Sequence, residues 1–264
     1  MPNESALSNE ILPRRVMTLF LLVDCSGSMS INGNIGKVNG AIEEMRPLLR
    51  EVSEENADAE IKIAVLAFST GCRWVTNGAE SMDDFRWNDL EAGGLTEMGA
   101  AFTELESKLS RSEFLASATG AYAPVIILLS DGQPNDNWEK GLEKLKHNNW
   151  YRSATKIAIG VDEGADESVL PVLSAFTGTP ETVLKVSGER DTLKSLLCRL
   201  AVVSSTMQSR SVSAASADTD DEQAKQNAVD AVEGTIGGGQ FDGDVEAVQS
   251  APADKNPWDV NGVW

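Results

Sequence analysis

The sequence predicts an α/β fold in which a doubly wound, mostly parallel sheet with one antiparallel edge strand carries helices on both faces. Two observations lead to this prediction. Short runs rich in valine, isoleucine and leucine end at glycine, serine or aspartate, and stretches of helical periodicity separate them. Such continuous apolar runs are typical of strands buried on both faces of a parallel sheet, and their alternation with helices is typical of doubly wound proteins.

The individual elements follow from these patterns in chain order. The central strands are predicted over residues 16–23, 61–68, 124–129 and 154–161. The helices are predicted over residues 37–54, 97–109, 138–148, 167–176 and 190–203. A further strand over residues 72–76 follows the second run across a very short link that contains Gly71. Such a link closes an antiparallel hairpin but not a parallel crossover, so this strand is expected at the sheet edge.

The chain has 264 residues, enough for one sizeable domain and an appendage. We expect an N-terminal extension over residues 1–13, the α/β domain over 14–204 and a flexible acidic tail over 205–264. The tail is rich in serine, acidic residues and glycine, a composition typical of disorder. Within it, Trp258 and Trp264 indicate either a docking motif for another chain or a contact that covers an apolar patch of the domain itself.

The net charge of −19 narrows the range of partners. A field of this sign repels phosphate backbones and anionic lipids, so we expect neither nucleic acid nor membrane as a partner. The three cysteines lack a CxxC spacing, as expected of unpaired thiols in the cytoplasm. The first apolar run and Cys25 imitate a lipoprotein signal. However, the charged Asp24 stands where lipoprotein processing needs a small neutral residue, so we expect that this run is a strand and not a signal.

Oxygen-bearing side chains follow two of the predicted strands. Asp24, Ser26 and Ser28 come directly after the first strand, and Asp131 follows the strand over 124–129. In parallel α/β sheets, ligands bind at the carboxyl ends of the strands. A glycine-rich loop before the helix at residue 97 adds the hydroxyl of Thr96. Five such oxygens suit a hard cation such as Mg²⁺ or Mn²⁺ and leave one octahedral position open.

The same residues have simpler alternative roles. Asp24 and Ser26 are also typical turn or helix-capping residues, and Thr96 is in position to cap the helix that it precedes. Asp136 is predicted as the N-cap of the helix that begins near Trp138 rather than as a metal ligand.

The three loops, in this order, resemble the metal-ion-dependent adhesion site of von Willebrand factor A domains, and the resemblance covers residues 14–204. The segments 129–138 and 140–142 are similar to the stand-alone bacterial members associated with tellurium resistance, the TerY type. The resemblance implies that Ser26 and Ser28 coordinate the metal directly, Asp24 and Asp131 largely through water, and Thr96 in either way. The sequence departs from the family at one position. In the family, threonine usually comes directly after the glycine pair, whereas here Leu95 stands between the glycine pair and Thr96.

Hydroxyl ligands leave the charge of a cation poorly neutralised, so its open position attracts an anionic oxygen. The predicted function is therefore that of a non-catalytic adaptor that binds an aspartate or glutamate of a partner protein. The motifs GxSxG, GxGxxG, HExxH and the P-loop lysine are absent from the sequence. The alternative is a metal-dependent phosphotransfer or phosphatase-like enzyme that uses Asp24, although Ser26 stands where such enzymes need a second acid.

The resemblance to the TerY type has further implications. These relatives are often encoded beside a protein kinase and a PP2C-like phosphatase, which implies a bacterial stress-response or defence system. Ser211 and Ser213, in the serine-rich part of the tail, are predicted phosphoacceptors for such a kinase.

Overall fold

The structure, a computed structural model, describes residues 14–161, 169–186, 190–210, 221–237 and 245–248. Eight strands in these ranges form one sheet in the order β3-β2-β1-β5-β6-β7-β8, and β4 also pairs with β2. The strands are β1 (Arg15–Asp24), β2 (Ala59–Ser69), β3 (Gly71–Trp74), β4 (Glu80–Ser81), β5 (Val125–Ser130), β6 (Thr155–Val161), β7 (Val183–Val186) and β8 (Val245–Ala247).

Helices cover both faces of this sheet. They are α1 (Asn34–Glu55), α2 (Met98–Lys108), α3 (Trp138–Lys146), α4 (Asn149–Ser153), α5 (Leu170–Thr177), α6 (Arg190–Arg210) and α7 (Asp221–Ile236). Short 3-10 helices at Gly27–Gly33 and Pro180–Thr182 precede α1 and β7. None of the helices in the described ranges combines the length and apolar character that a membrane span requires.

The core consists of two layers, one on each side of the sheet. In β1, Leu19 and Leu21 belong to the layer that α1 and α6 cover, whereas Phe20 and Leu22 belong to the layer beneath α2, α3 and α5. All four side chains are fully buried. Both faces of β1 therefore lie in the apolar interior, which explains why its sequence is continuously hydrophobic rather than alternating.

The predicted fold class is confirmed. β1, β2, β5, β6 and β7 pair in parallel, and β3 pairs antiparallel with β2, as expected of the edge strand. A second antiparallel edge is formed by β8 on β7, which sequence analysis did not predict. β1 lies between β2 and β5, so the order of the strands continues outward from β1 in both directions. Such a switch point is where ligands bind in open α/β sheets.

The described parts of the segment predicted as a flexible tail, residues 205–210, 221–237 and 245–248, are helix and strand and thus differ from that expectation. α6 continues past residue 204 to Arg210, and α7 packs against α6 and β6. The buried positions of α7 are mainly alanines at helical spacing, such as Ala224, Ala228 and Ala231. Alanine is the best helix former but buries little area, so this face gives a weak hydrophobic signal in the sequence.

Candidate metal site

Asp24 is the last residue of β1, and its carboxylate is fully buried. One oxygen, Oδ1, accepts a hydrogen bond from the Ser26 backbone N–H at 2.7 Å, and Oδ2 accepts one from the Ser130 hydroxyl at 2.6 Å. Ser130 is the last residue of β5, the neighbour of β1. The carboxylate therefore joins the ends of the two strands that form the switch point.

Ser26 and Ser28 continue from this carboxylate toward the surface. Their hydroxyl oxygens lie 2.9 Å apart, and the Ser28 hydroxyl donates to Asp131 Oδ1 at 2.6 Å. The side-chain amide of Asn34 makes a long contact of 3.5 Å with Asp131 Oδ2. Ser26 is buried, whereas Ser28 and Asp131 are partly exposed, so the oxygen cluster opens to solvent on their side.

The loop of residues 93–97 is attached to the same place. The Gly94 carbonyl accepts a hydrogen bond from the Gly27 N–H at 3.1 Å. Asn135 holds Thr96 on both sides of its backbone, because its side-chain oxygen accepts from the Thr96 N–H and its own N–H donates to the Thr96 carbonyl, both at 2.8 Å. The three loops that carry the predicted ligands are thus joined to one another by direct hydrogen bonds.

Asp136 caps α2, which corrects the role predicted for it. Its carboxylate accepts hydrogen bonds from two backbone N–H groups of the first turn of α2, at 3.0 and 2.9 Å. The N-cap of α3 is Asn137, whose side chain accepts from the Lys140 N–H at 3.0 Å. The backbone N–H groups in the first turn of α2 are thus capped by Asp136. A capping role for Thr96 at this helix is therefore not needed.

Burial dominates the electrostatics of Asp24. It raises the pKa of this carboxyl from 3.8 to about 6, although the hydrogen bonds from Ser130 and Ser26 act in the opposite direction. The negative charge of Asp131 raises the pKa further. A buried carboxylate that is this costly to ionise gains strongly from a neighbouring cation.

The three cysteines are free thiols, as predicted. Burial raises the pKa of Cys25 to about 12, with a further rise from the charge of Asp24 and a smaller opposite effect of Arg73. Burial also raises the pKa values of Cys72 and Cys198, each to about 11. The thiols therefore stay protonated at neutral pH, and none of them is an activated nucleophile.

The donor set fits a hard divalent cation. The carboxylates of Asp24 and Asp131 and the hydroxyls of Ser26 and Ser28 lie in one hydrogen-bonded cluster, with the backbone of Thr96 held beside it, and Mg²⁺ and Mn²⁺ prefer oxygen ligands. Neighbouring octahedral ligands of Mg²⁺ lie about 2.9 Å apart, given metal–oxygen distances of about 2.0–2.1 Å, and the hydroxyls of Ser26 and Ser28 have this spacing. In the part of the chain that the structure describes, no group of three or more His, Cys, Asp or Glu side chains is arranged to hold a metal. Any cation at this site therefore depends on the hydroxyls.

Sequence analysis missed three residues that position the predicted ligands. Ser130 donates to Asp24, Asn135 holds the backbone of Thr96, and Asn34 contacts Asp131. Ser130 and Asn135 flank Asp131 in the sequence, so a polar cluster after the strand was the available signal. Asn34 carried no such signal, because only the fold brings the start of α1 to this loop.

Four other predicted functional residues lie outside the described ranges. They are the docking residues Trp258 and Trp264 and the phosphoacceptors Ser211 and Ser213.

The fold and the site together define a doubly wound α/β domain with an oxygen cluster at its switch point. The family model of the von Willebrand factor type A domain matches residues 18–197, and the chain belongs to this family. Members of the family are generally non-catalytic modules of a metal-binding, protein-interaction fold.

Several solved structures are similar to this chain. A von Willebrand factor type A protein from Catenulispora acidiphila is 17% identical with a TM-score of 0.51, over 72% of this chain and 42% of that one. The PilB minor pilin from Streptococcus sanguinis is 13% identical with a TM-score of 0.51, over 75% and 62%. Proximal thread matrix protein 1 from the mussel byssus, with a zinc-occupied adhesion site, is 20% identical with a TM-score of 0.48, over 72% and 48%. This chain spans less than two thirds of each of these proteins, and no curated protein sequence matches it.

Proposed function

We propose that this protein is a non-catalytic adaptor that binds a carboxylate side chain of a partner protein through a divalent cation, Mg²⁺ or Mn²⁺. The residues that would hold the cation are Asp24, Ser26, Ser28, Thr96 and Asp131. When bound, the cation would supply an electrophilic position for an anionic oxygen. The remaining chemistry belongs to the chain itself, which orients the ligands and keeps one side of the cluster open.

One observation carries this proposal: the Ser26 backbone N–H donates to the Asp24 carboxylate, and the hydroxyls of Ser26 and Ser28 continue by hydrogen bonds to the Asp131 carboxylate, which brings four oxygen-bearing side chains into one row. These oxygens come from two loops more than a hundred residues apart in the sequence. The row begins at a buried carboxylate and ends at partly exposed groups. Such a gradient suits a cation that is held from below by the protein and approached from above by a partner.

The enzyme alternative finds less support. A nucleophilic Asp24 would have to present a free oxygen to a phosphoryl group, but the side chain is fully buried. Both of its oxygens already accept hydrogen bonds, from Ser26 and from Ser130. The same contacts are well suited to fixing a carboxylate that supports a metal ligand.

The cellular role is a further part of the proposal and rests on the resemblance to the TerY type alone. We propose a cytoplasmic protein of a bacterial stress-response or defence system, including tellurium resistance. Its partners would include a kinase, which would modify Ser211 and Ser213, and a PP2C-like phosphatase.

Calorimetric titration with Mn²⁺ tests the metal site through the Ser28→Ala variant. We expect loss of the Ser28 hydroxyl to weaken Mn²⁺ binding at least tenfold, a magnitude of about the size found when ligand-shell groups are removed. The matched control is Ser30→Ala, because Ser30 lies on the same 3-10 helix but donates only to the Gly27 carbonyl, at 2.7 Å.

Capture of partner proteins from cell lysate completes the test. Wild-type protein should retain partners in Mn²⁺ and release them in EDTA, and Asp24→Ala should capture none. Equal Mn²⁺ affinities of the Ser28→Ala and Ser30→Ala variants would contradict the proposed set of metal ligands. Undiminished capture in EDTA would remove the proposed mechanism of partner binding.

A further inference from the structure

Two exposed aliphatic side chains lie on the loops that carry the predicted metal ligands. In the described residues, three large hydrophobic side chains are exposed: Ile31 at 60%, Leu95 at 51% and Leu48 at 41%. Ile31 lies three residues after Ser28, and Leu95 directly precedes Thr96. Two of the three exposed aliphatic residues are therefore on loops that carry predicted metal ligands. Exposed apolar groups on the loops of a polar site are typical of an interaction surface.

The backbone around both residues is held in place while their side chains stay exposed. Ile31 is extended, with φ −66° and ψ 139°, and Asn32 after it has a left-handed φ of 52°. These two residues interrupt the 3-10 helix, and the Asn34 N–H donates to the Ile31 carbonyl. In the other loop, the Leu95 N–H donates to the Thr70 hydroxyl at 3.0 Å. Fixed backbones of this kind present side chains to a ligand at a low entropic cost.

The arrangement specifies the chemistry of the ligand. An acidic side chain would reach the cation, and its apolar neighbours in sequence would contact Ile31 and Leu95. Apolar anchors beside a polar contact are the usual source of affinity in small interfaces. The best occupant is therefore an acidic residue between large apolar residues.

The chain itself contains such a sequence beyond the described residues, at Trp258-Asp259-Val260. We propose that this segment is a built-in ligand of the metal site, with Asp259 at the cation and Trp258 and Val260 against Leu95 and Ile31. This inference rests on the proposed function, since it names the occupant of the same site. A partner protein would then act by displacing the segment.

The length of the chain permits this contact within one molecule. From Val248 to Asp259 the chain spans about 36 Å or more when extended, at about 3.3–3.6 Å per residue. β8 is four strand positions from β1, about 19 Å at roughly 4.8 Å per strand. The Val248 N–H donates to the carbonyl of Val183 at the start of β7, so the path to the carboxyl ends of the strands also includes the length of β7, about 13 Å. Even the sum of both distances is within reach.

A built-in ligand sets a threshold for outside partners. A short flexible tether gives an effective concentration in the millimolar range. Partners of weak affinity are then excluded, and only those with better apolar anchors or higher concentration displace the segment.

Fluorescence anisotropy tests the inference with a labelled peptide of residues 250–264. The receptor is full-length protein carrying Asp259→Asn, so that its own segment does not compete. We expect saturable binding in Mn²⁺, loss of binding in EDTA, and binding at least about tenfold weaker when the peptide carries Asp259→Asn. Leu95→Ser in the receptor should weaken binding about tenfold, whereas Leu48→Ser, the third exposed aliphatic residue, should not.

The controls separate this inference from the proposed function. Failure of the receptor to take up Mn²⁺ in calorimetry would overturn the metal site and the inference together. Uptake of Mn²⁺ without peptide binding, or equal effects of Leu95→Ser and Leu48→Ser, would overturn the inference alone. Sedimentation of the wild-type chain should show a monomer in Mn²⁺. A Mn²⁺-dependent dimer that Asp259→Asn abolishes would assign the segment to a second copy and overturn the contact within one molecule.

Discussion

Asp24 is subject to two opposing physical effects. Its carboxylate is buried, which disfavours the charge, yet the charge is what a cation at this site requires. The hydrogen bonds from Ser26 and Ser130 offset only part of the cost of burial, because the pKa remains raised at about 6. The metal-free protein is thus expected to be less stable than its contacts alone suggest, and binding of a cation should restore that stability.

The Asp24→Asn variant tests this balance through its pH dependence. Since burial raises the pKa of Asp24 in the folded state, the stability associated with its protonated form is present at low pH and is lost as the pH rises through about 6. Asparagine does not ionise. In EDTA, the free energy of unfolding of Asp24→Asn should therefore gain about 2 kcal/mol relative to wild type between pH 4.5 and 7.5.

Urea unfolding at both pH values measures this difference. In Mn²⁺ the order should reverse, because only wild type retains the charged ligand. A difference that is the same at pH 4.5 and 7.5 would contradict the raised pKa.

The contact between α2 and α3 positions two of the three site loops. A methyl group on Gly99 would approach the Asn137 carbonyl to 2.7 Å, and one on Gly141 would overlap the Gly99 carbonyl. The two helices therefore touch backbone to backbone, which only glycine allows at this distance. The loop with Thr96 leads into α2, and the loop with Asp131 leads into α3. The close contact of the two helices therefore fixes the distance between these two loops.

Gly141→Ala should separate the two helices. We expect it to lower the free energy of unfolding by about 1–3 kcal/mol through overpacking and to weaken Mn²⁺ binding. Gly36→Ala, in α1, is the matched control, because nothing lies within 4 Å of its added methyl group. That variant should gain up to about 1 kcal/mol from helix propensity. Equal stabilities for the two variants, measured by urea unfolding, would contradict a close helix contact.

The C-terminal elements extend the domain beyond the family match at residue 197. α7 packs on α6 and β6, and β8 adds a strand to the edge of β7. At the start of α7, Asp221 lies 2.7 Å from Lys225 and 3.5 Å from the buried Lys156. Burial lowers the pKa of Lys156 to about 8, and the negative charge of Asp221 partly offsets this effect. The extension is thus joined to the domain by apolar packing and by charge.

Ala231→Arg tests whether α7 folds with the rest of the molecule. Ala231 is fully buried, so an arginine there should detach α7 and expose residues 221–236 to hydrogen exchange. Mn²⁺ binding should persist, because the metal site lies at the end of β1 and on the loops after β1, after β5 and before α2. Gln226→Arg, on the exposed side of α7, should leave the protection of the helix unchanged. Equal exchange in both variants would show that α7 does not depend on this packing.

Strong local patterns made most of the fold predictable. β1 and β5 are continuous apolar runs that no surface element tolerates, and the link at Gly71 is too short for anything but a hairpin. α7 was not predicted because its buried face consists mainly of alanine. β7 and β8 were not predicted because they have only four and three residues, too few to show the periodicity of a strand.

The sequence by itself determined the residue types of the site and their place after the strands, because a buried strand end must be followed by polar groups that turn the chain. Only the tertiary structure decided which groups meet. It joins Ser28 to Asp131 and Thr96 to Asn135, and it makes Asp136 the cap of α2 instead of α3. The physical reason is distance along the chain: periodicity and capping are local, whereas the sheet order and the close contact of α2 with α3 depend on packing between remote segments.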